Sequence, residues 1–147
     1  MARYLWAAPC SAVGLLLFLP ALIFGGSVRF SEGVMEISLA RFLRRIGRPQ
    51  PPFRAIAFGH VVIGTSRASL RRLRSHERVH VRQYEQWGIL FFPAYFLSSL
   101  HQLLLGRSPY WHNWFERQAY ARQGGNDVAR GQTAPGPLSS LRRHNRE

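Results

Sequence analysis

The first constraint on this fold is an uncharged stretch near the start of the chain. Residues 5–26 read LWAAPCSAVGLLLFLPALIFGG. At about 1.5 Å per residue, a helix of that length covers roughly 33 Å, enough for a bilayer core. Pro9, Gly14 and Pro20 are compatible with a membrane helix. The run is longer than a secretory h-region, and only Arg3 precedes it. These features predict a retained transmembrane anchor over residues 1–28. Arg29, Arg41, Arg44, Arg45 and Arg48 follow it, so the positive-inside rule puts the rest of the chain in the cytoplasm, against the inner membrane.

The chain of 147 residues has a net charge of +13, carried by 20 arginines and no lysine. Such a charge suits a polyanion or an anionic lipid surface. The apolar runs favour lipid, and no nucleic-acid motif is present, so no nucleic-acid partner is expected. A single cysteine, Cys10, excludes an internal disulfide and a cysteine-based metal cage.

Beyond the anchor, the pattern predicts an α+β domain over residues 29–122. Residues 34–63 read as a small β element. Met35, Ile37 and Leu39 alternate in VMEISL, while SLARFLRRIG keeps helical spacing. AIAFGHVVIG, 55–64, reads as a strand, with Gly59 marking a bulge or a close backbone approach. Residues 66–87 form an amphipathic helix capped by Thr65 or Ser66. Arg67, Arg71, Arg74, Arg78 and Arg82 make a stripe along it, suited either to solvent or to lipid headgroups.

A second apolar run, 88–105, barely reaches spanning length and is interrupted by Pro93, His101 and Gln102. It is expected as a hairpin, re-entrant or interfacial segment, broken near Pro93 or Ser98-Ser99. A further helix is expected over 110–122. The Gly-, Pro-, Ser- and Arg-rich tail, 123–147, is expected to be disordered.

His76-Glu77-Arg78-Val79-His80 is an HExxH sequence on the predicted helix. Residues four apart lie one turn apart on one side, so two imidazoles can reach one zinc ion at about 2.0–2.1 Å. Glu77 shares that face and can accept a proton from water acidified by the metal. By chance alone the motif would appear in roughly one chain in a hundred of this composition. A catalytic zinc takes three protein ligands. Gln83 and Gln86 stand where the metzincin pattern needs glycine and histidine, which excludes that class. The remaining third ligands are His101, His112, Glu116 and Asp127. Glu116, on a helix that can face the first, leads, with His112 second.

HERVHVRQYEQWG followed by NWFERQAY resembles the compact, membrane-linked gluzincin metallopeptidases, the minigluzincin-like group, over residues 55–122. The resemblance rests on HExxHxxQ and a downstream N-x-x-E-x-x-A-Y. It implies that His76, His80 and Glu116 hold zinc and that Glu77 is the general base. It also implies that the strand at 55–64 flanks the cleft and holds an extended peptide. Larger gluzincins often carry Asp where Tyr120 stands, a departure in the groups that orient the ligands. Tyr120, Tyr110 and His112 are candidates to stabilise an oxyanion or support the ligands. The expected activity is a membrane-associated zinc hydrolase acting on peptides or proteins. The alternative is a membrane protein that keeps zinc without catalysis.

Overall fold

The computed structural model describes residues 2–49, 51 and 53–129, the side chains of Ala2 and 125–129 excepted. The elements run α1 (Ala2–Ile23), β1 (Ser27–Ser31), β2 (Val34–Ser38), α2 (Ala40–Arg45), β3 (Ala55–Phe58), β4 (Val61–Gly64), α3 (Arg67–Trp87), α4 (Phe91–Leu104) and α5 (Trp114–Ala129). A single 3-10 turn, Gly88–Leu90, joins α3 to α4. The fold is mixed α+β, with an apolar N-terminal helix and one four-stranded sheet.

The sheet order is β1-β2-β4-β3. β2 and β4 pair in parallel, while the β1–β2 and β3–β4 pairs are antiparallel. Every residue of β4 is buried. A strand covered on both faces needs a continuous apolar run, which VVIG supplies. Val61 and Ile63 join Ile37 in a cluster packed against Ala21, Leu15 and Phe18 of α1. Val62, one residue out of phase, joins Leu70, Val81 and Tyr84 of α3. The period-two alternation of the strand therefore places α1 on one face of the sheet and α3 on the other.

Where 55–64 reads as one strand, the structure has a hairpin. Phe58 pairs with Val61, leaving Gly59-His60 as a two-residue turn. Gly59 has φ +57°, as the first position of such a turn requires. A Cβ there would lie 2.8 Å from the Ala7 carbonyl oxygen of α1, so the same glycine also serves a close approach. β1 has no counterpart in the sequence reading. It is an edge strand whose Val28 and Phe30 are exposed, so it carries no alternating apolar signal.

The apolar run 88–105 departs from expectation in where it breaks. The interruption falls at Gly88–Leu90, with Gly88 at φ +55°. α4 then continues without a break through Pro93 and Ser98-Ser99. Pro93 lies in the first turn, where no intrahelical donor is needed. The last helix begins at Trp114 instead of 110 and extends to Ala129, past the expected tail boundary at 123. The remainder of the tail, 130–147, lies outside the described residues.

α1 is the one described helix long and apolar enough to cross a membrane, and little of it is buried. Its fully buried residues are small. Ala7, Cys10, Gly14 and Ala21 meet the sheet and the 3-10 turn, whereas Leu5, Leu16, Leu17 and Ile23 stay exposed. The Cys10 thiol lies 3.4 Å from the Gly88 carbonyl oxygen, and Ser11 Oγ accepts from the His60 amide at 2.9 Å.

The arginine stripe has a third outcome beyond solvent and lipid. Arg74 makes a bidentate pair with buried Glu36 of β2, at 2.7 and 2.9 Å. Arg78 donates to the Glu32 and Ser31 carbonyls of the β1–β2 turn, and Arg67 donates to Ser27 Oγ. Arg71 and Arg82 are exposed.

Candidate metal centre

Ser66 starts α3 by accepting the Ser69 amide at 3.0 Å, an ordinary N-cap. From that start the helical period brings Leu70, His76, Glu77, His80, Val81 and Tyr84 into the interior. His76 and His80 lie one turn apart with their Nε2 atoms 3.1 Å from each other. Glu116 enters from α5. Its Oε2 is 3.3 Å from His76 Nε2 and its Oε1 is 3.4 Å from His80 Nε2. All three residues are buried, and one donor atom from each can be chosen within a 4.8 Å sphere of mutual distance.

These spacings suit a shared ion. Ligands at about 2.0–2.1 Å in a tetrahedron stand roughly 3.3 Å apart. Hydrogen bonding alone leaves the group under-satisfied. Glu116 Oε2, His76 Nδ1 and Glu77 Oε2 are buried without a hydrogen-bond partner. Buried polar atoms of native proteins are nearly always paired, so such a cluster calls for an explanation. Two imidazoles and a carboxylate converging on one point are the donor set of a two-histidine-plus-glutamate zinc centre.

The tautomer of His80 follows from its neighbours. Gln83 Nε2 donates to the Phe115 carbonyl at 3.1 Å and to Gln118 Oε1 at 2.8 Å. Both partners are acceptors, so the Gln83 amide has one orientation and its Oε1 faces His80 Nδ1 at 2.8 Å. Nδ1 must then carry the proton, which leaves the Nε2 lone pair directed at Glu116 and His76. This is the usual device for orienting a ligand histidine. His76 has no such partner: its ring packs against the Tyr120 ring, with centroids 4.5 Å apart. Tyr120 thus packs on the His76 ring, and no hydrogen bond holds that ring at Nδ1.

Glu116 is placed by residues outside the motif. Asn113 caps α5, its Oδ1 accepting the Phe115 amide at 2.9 Å. Its Nδ2 donates to the Tyr95 carbonyl at 3.0 Å and to Ser99 Oγ at 2.7 Å, tying the start of α5 to α4. Tyr95 then donates its hydroxyl to Glu116 Oε1 at 2.9 Å. Asn113 is a strong N-cap type and could have been found as one. Tyr95 sits in an apolar run and gives no sequence signal for this contact.

Burial pushes the Glu77 carboxyl above its ordinary value, outweighing the charges of His80 and His76. A more basic carboxylate is better matched to proton abstraction near neutral pH. Burial would also raise Glu116, yet hydrogen bonds and charge from His76 and His80 hold it well below the usual carboxylate range. Burial opposes protonation of His80, but hydrogen bonding to Glu116 and its charge win and raise it.

Of the other expected residues, His101 and His112 are exposed and take no part, and the side chain of Asp127 lies outside the described residues. Tyr110 and Tyr120 meet, their hydroxyls 3.2 Å apart, on the wall of the same cleft. Burial pushes both phenols up, so both remain donors. The cleft has a volume of about 920 Å³ and is lined by His76, Glu77, His80, Glu116, the edge strand β3 and the inner side of α4. No protein-family model, curated protein or solved structure matches the chain.

Proposed function

We propose that the chain is a membrane-associated, zinc-dependent hydrolase, most simply a peptidase, with its site on the cytoplasmic side of the inner membrane. The observation that carries this reading is the convergence of His76, His80 and Glu116 beside the buried carboxylate of Glu77. The motif similarity to compact gluzincins agrees with it.

His76 Nε2, His80 Nε2 and the Glu116 carboxylate would hold the ion. When bound, zinc polarises a carbonyl and acidifies water. Glu77 takes the proton from the attacking water and returns it to the leaving amine. The hydroxyl pair of Tyr110 and Tyr120 supplies hydrogen-bond donors for the negative charge that develops on the carbonyl oxygen. β3 is one of the two edge strands of the described sheet and the one that lines the cleft, so an extended peptide can pair with it. α1, packed on the sheet from Ala7 to Ala21, would hold the assembly at the membrane through its exposed apolar face.

One observation favours a second reading, a zinc centre kept for structure. His76 Nδ1 has no hydrogen-bond partner, whereas ligands of catalytic centres are usually held from behind. Metal analysis of the purified wild type beside His80→Ala and Glu116→Ala tests the shared centre. One zinc per chain, lost in both variants, is expected. Glu77→Gln assayed against a peptide library separates the two readings. Retained zinc with lost turnover supports the hydrolase, whereas wild-type protein that binds zinc and cleaves nothing supports the structural centre.

A further inference from the structure

The part of α4 that lines the cleft adjoins that helix's exposed apolar surface at Phe96. Phe96 lines the cleft and is 65% exposed. Tyr110 and Trp111 line it too, at 42% and 41% exposure, so the rim is aromatic. From that rim the exposed apolar surface continues along α4 through Leu97, Leu100, Leu103 and Leu104. No charged residue occurs between Ile89 and Gly106. A contiguous apolar surface of this kind is unusual on a protein surrounded by water. Aromatic rims of this kind suit the boundary between lipid and water.

Two further features point to lipid as what covers this outer surface. α1 exposes a second apolar surface, from Leu5 to Ile23, of the length that bilayer hydrocarbon demands. It lies next to the cleft wall, because Phe18 of α1, Phe58 of β3 and Phe92 of α4 follow one another with ring centroids 6.3 Å apart at each step. The cleft is itself lined mainly by apolar groups, including Ala57, Phe58, Phe92 and Phe96, with Arg54 and Ser99 adding polar groups to those of the metal centre.

We propose that the cleft opens toward the bilayer and takes an apolar polypeptide segment presented from it, such as part of a membrane span or a lipid-bound tail. This rests on the hydrolase reading for the purpose of the site, but not for the binding. An apolar segment gains by filling this cleft and loses nothing in leaving hydrocarbon, whereas a polar peptide would leave its side chains without partners there. Segments at a bilayer surface also unwind at the cost of unpaired backbone groups, and the free edge of β3 supplies pairs for them.

The test uses the full chain carrying Glu77→Gln, loaded with zinc, in vesicles of phosphatidylcholine and phosphatidylglycerol. The probe is a synthetic peptide with a core of about 20 leucine and alanine residues and a benzophenone side chain. A polar, water-soluble peptide of equal length bearing the same group is the comparison. Photo-crosslinks from the membrane peptide are expected on β3 or α4, about tenfold above those from the soluble one. Phe96→Arg should reduce them about tenfold without changing thermal unfolding. Phe96→Ser serves if the arginine variant does not fold. Equal or greater crosslinking by the soluble peptide, crosslinks outside the cleft, or yields unaltered by substitution at Phe96 would overturn the proposal. Turnover by the wild type is read separately. Crosslinking without turnover sinks the hydrolase and leaves this inference standing, and cleavage of soluble peptides alone does the reverse.

Discussion

Helix α3 carries two buried polar groups that have been handled in opposite ways. On one side Arg74 meets Glu36 through two good hydrogen bonds. On the other, His76, His80 and Glu116 crowd together and leave Glu116 Oε2 and His76 Nδ1 unpaired. The first group is complete with protein atoms alone and holds the helix to the sheet. The second leaves polar atoms without protein partners, and on the reading proposed above an ion completes it. On that reading the contrast separates a polar group that serves architecture from one that serves chemistry, although both sit on one helix.

The largest effect that can break this contrast is kinetic. Glu77→Gln is expected to lower peptide turnover by about a thousandfold, with zinc content and unfolding temperature unchanged. A variant with wild-type turnover would remove Glu77 from its role. Next comes the architectural pair. Arg74→Ala leaves the Glu36 carboxylate buried and alone, and should cost about 3 kcal/mol in a denaturant titration while the fraction still folded binds zinc normally. If Arg74→Ala abolished zinc binding in folded protein instead, the two groups would not be separable.

Gln83→Leu should be milder. It keeps the volume but removes the acceptor that fixes the His80 tautomer, so zinc affinity should fall about ten- to hundredfold by competition with a chelator. An unchanged affinity would mean that His80 is oriented by packing alone.

The smallest effect is the pH dependence of stability. In metal-free protein, His80 and Glu77 both have folded pKa values above their ordinary ones, so each binds protons more readily when folded. Their contributions decline as pH rises through those values. Glu116 is depressed and stabilises above the ordinary carboxylate range, losing that contribution only in strong acid. Between about pH 5 and 8 the first two govern, so the unfolding temperature of the metal-free protein should drop by a few degrees. With zinc bound the slope should reverse, because the ion competes with protons. The same slope with and without zinc would mean that these residues do not share the ion.

Much of this was readable from the chain, for identifiable reasons. The helix at 66–87 announces itself through its cap and a strong 3.6-residue period, and HExxH depends only on that period. Glu116 could be favoured over His112 because it sits inside a helix and His112 at its start. The rest depends on information that no local pattern carries. Asn113 and Tyr95 act on Glu116 across α4 and α5, and Tyr95 resembles any other aromatic in an apolar run. The hairpin in 55–64 was hidden because Gly59-His60 splits two apolar strands too short to be distinguished from one. β1 was invisible because an edge strand with both apolar side chains outward has no buried face to mark it. The break in 88–105 went to Gly88, where positive φ is cheap, and passed over Pro93, which costs nothing in a first turn.

The placement of α1 over β4 has a consequence for synthesis. The helix leaves the ribosome first, but the strand it covers, Val61–Gly64, is made only after some forty more residues at about 5–20 residues per second. For seconds, then, its small-residue stripe has no mate, and the cheapest refuge for the surrounding leucines is hydrocarbon. Clipping it away afterwards would bare Ile37, Val61 and Ile63 to water, so an ordinary leader-processing step would undo the very sheet that it helped to assemble.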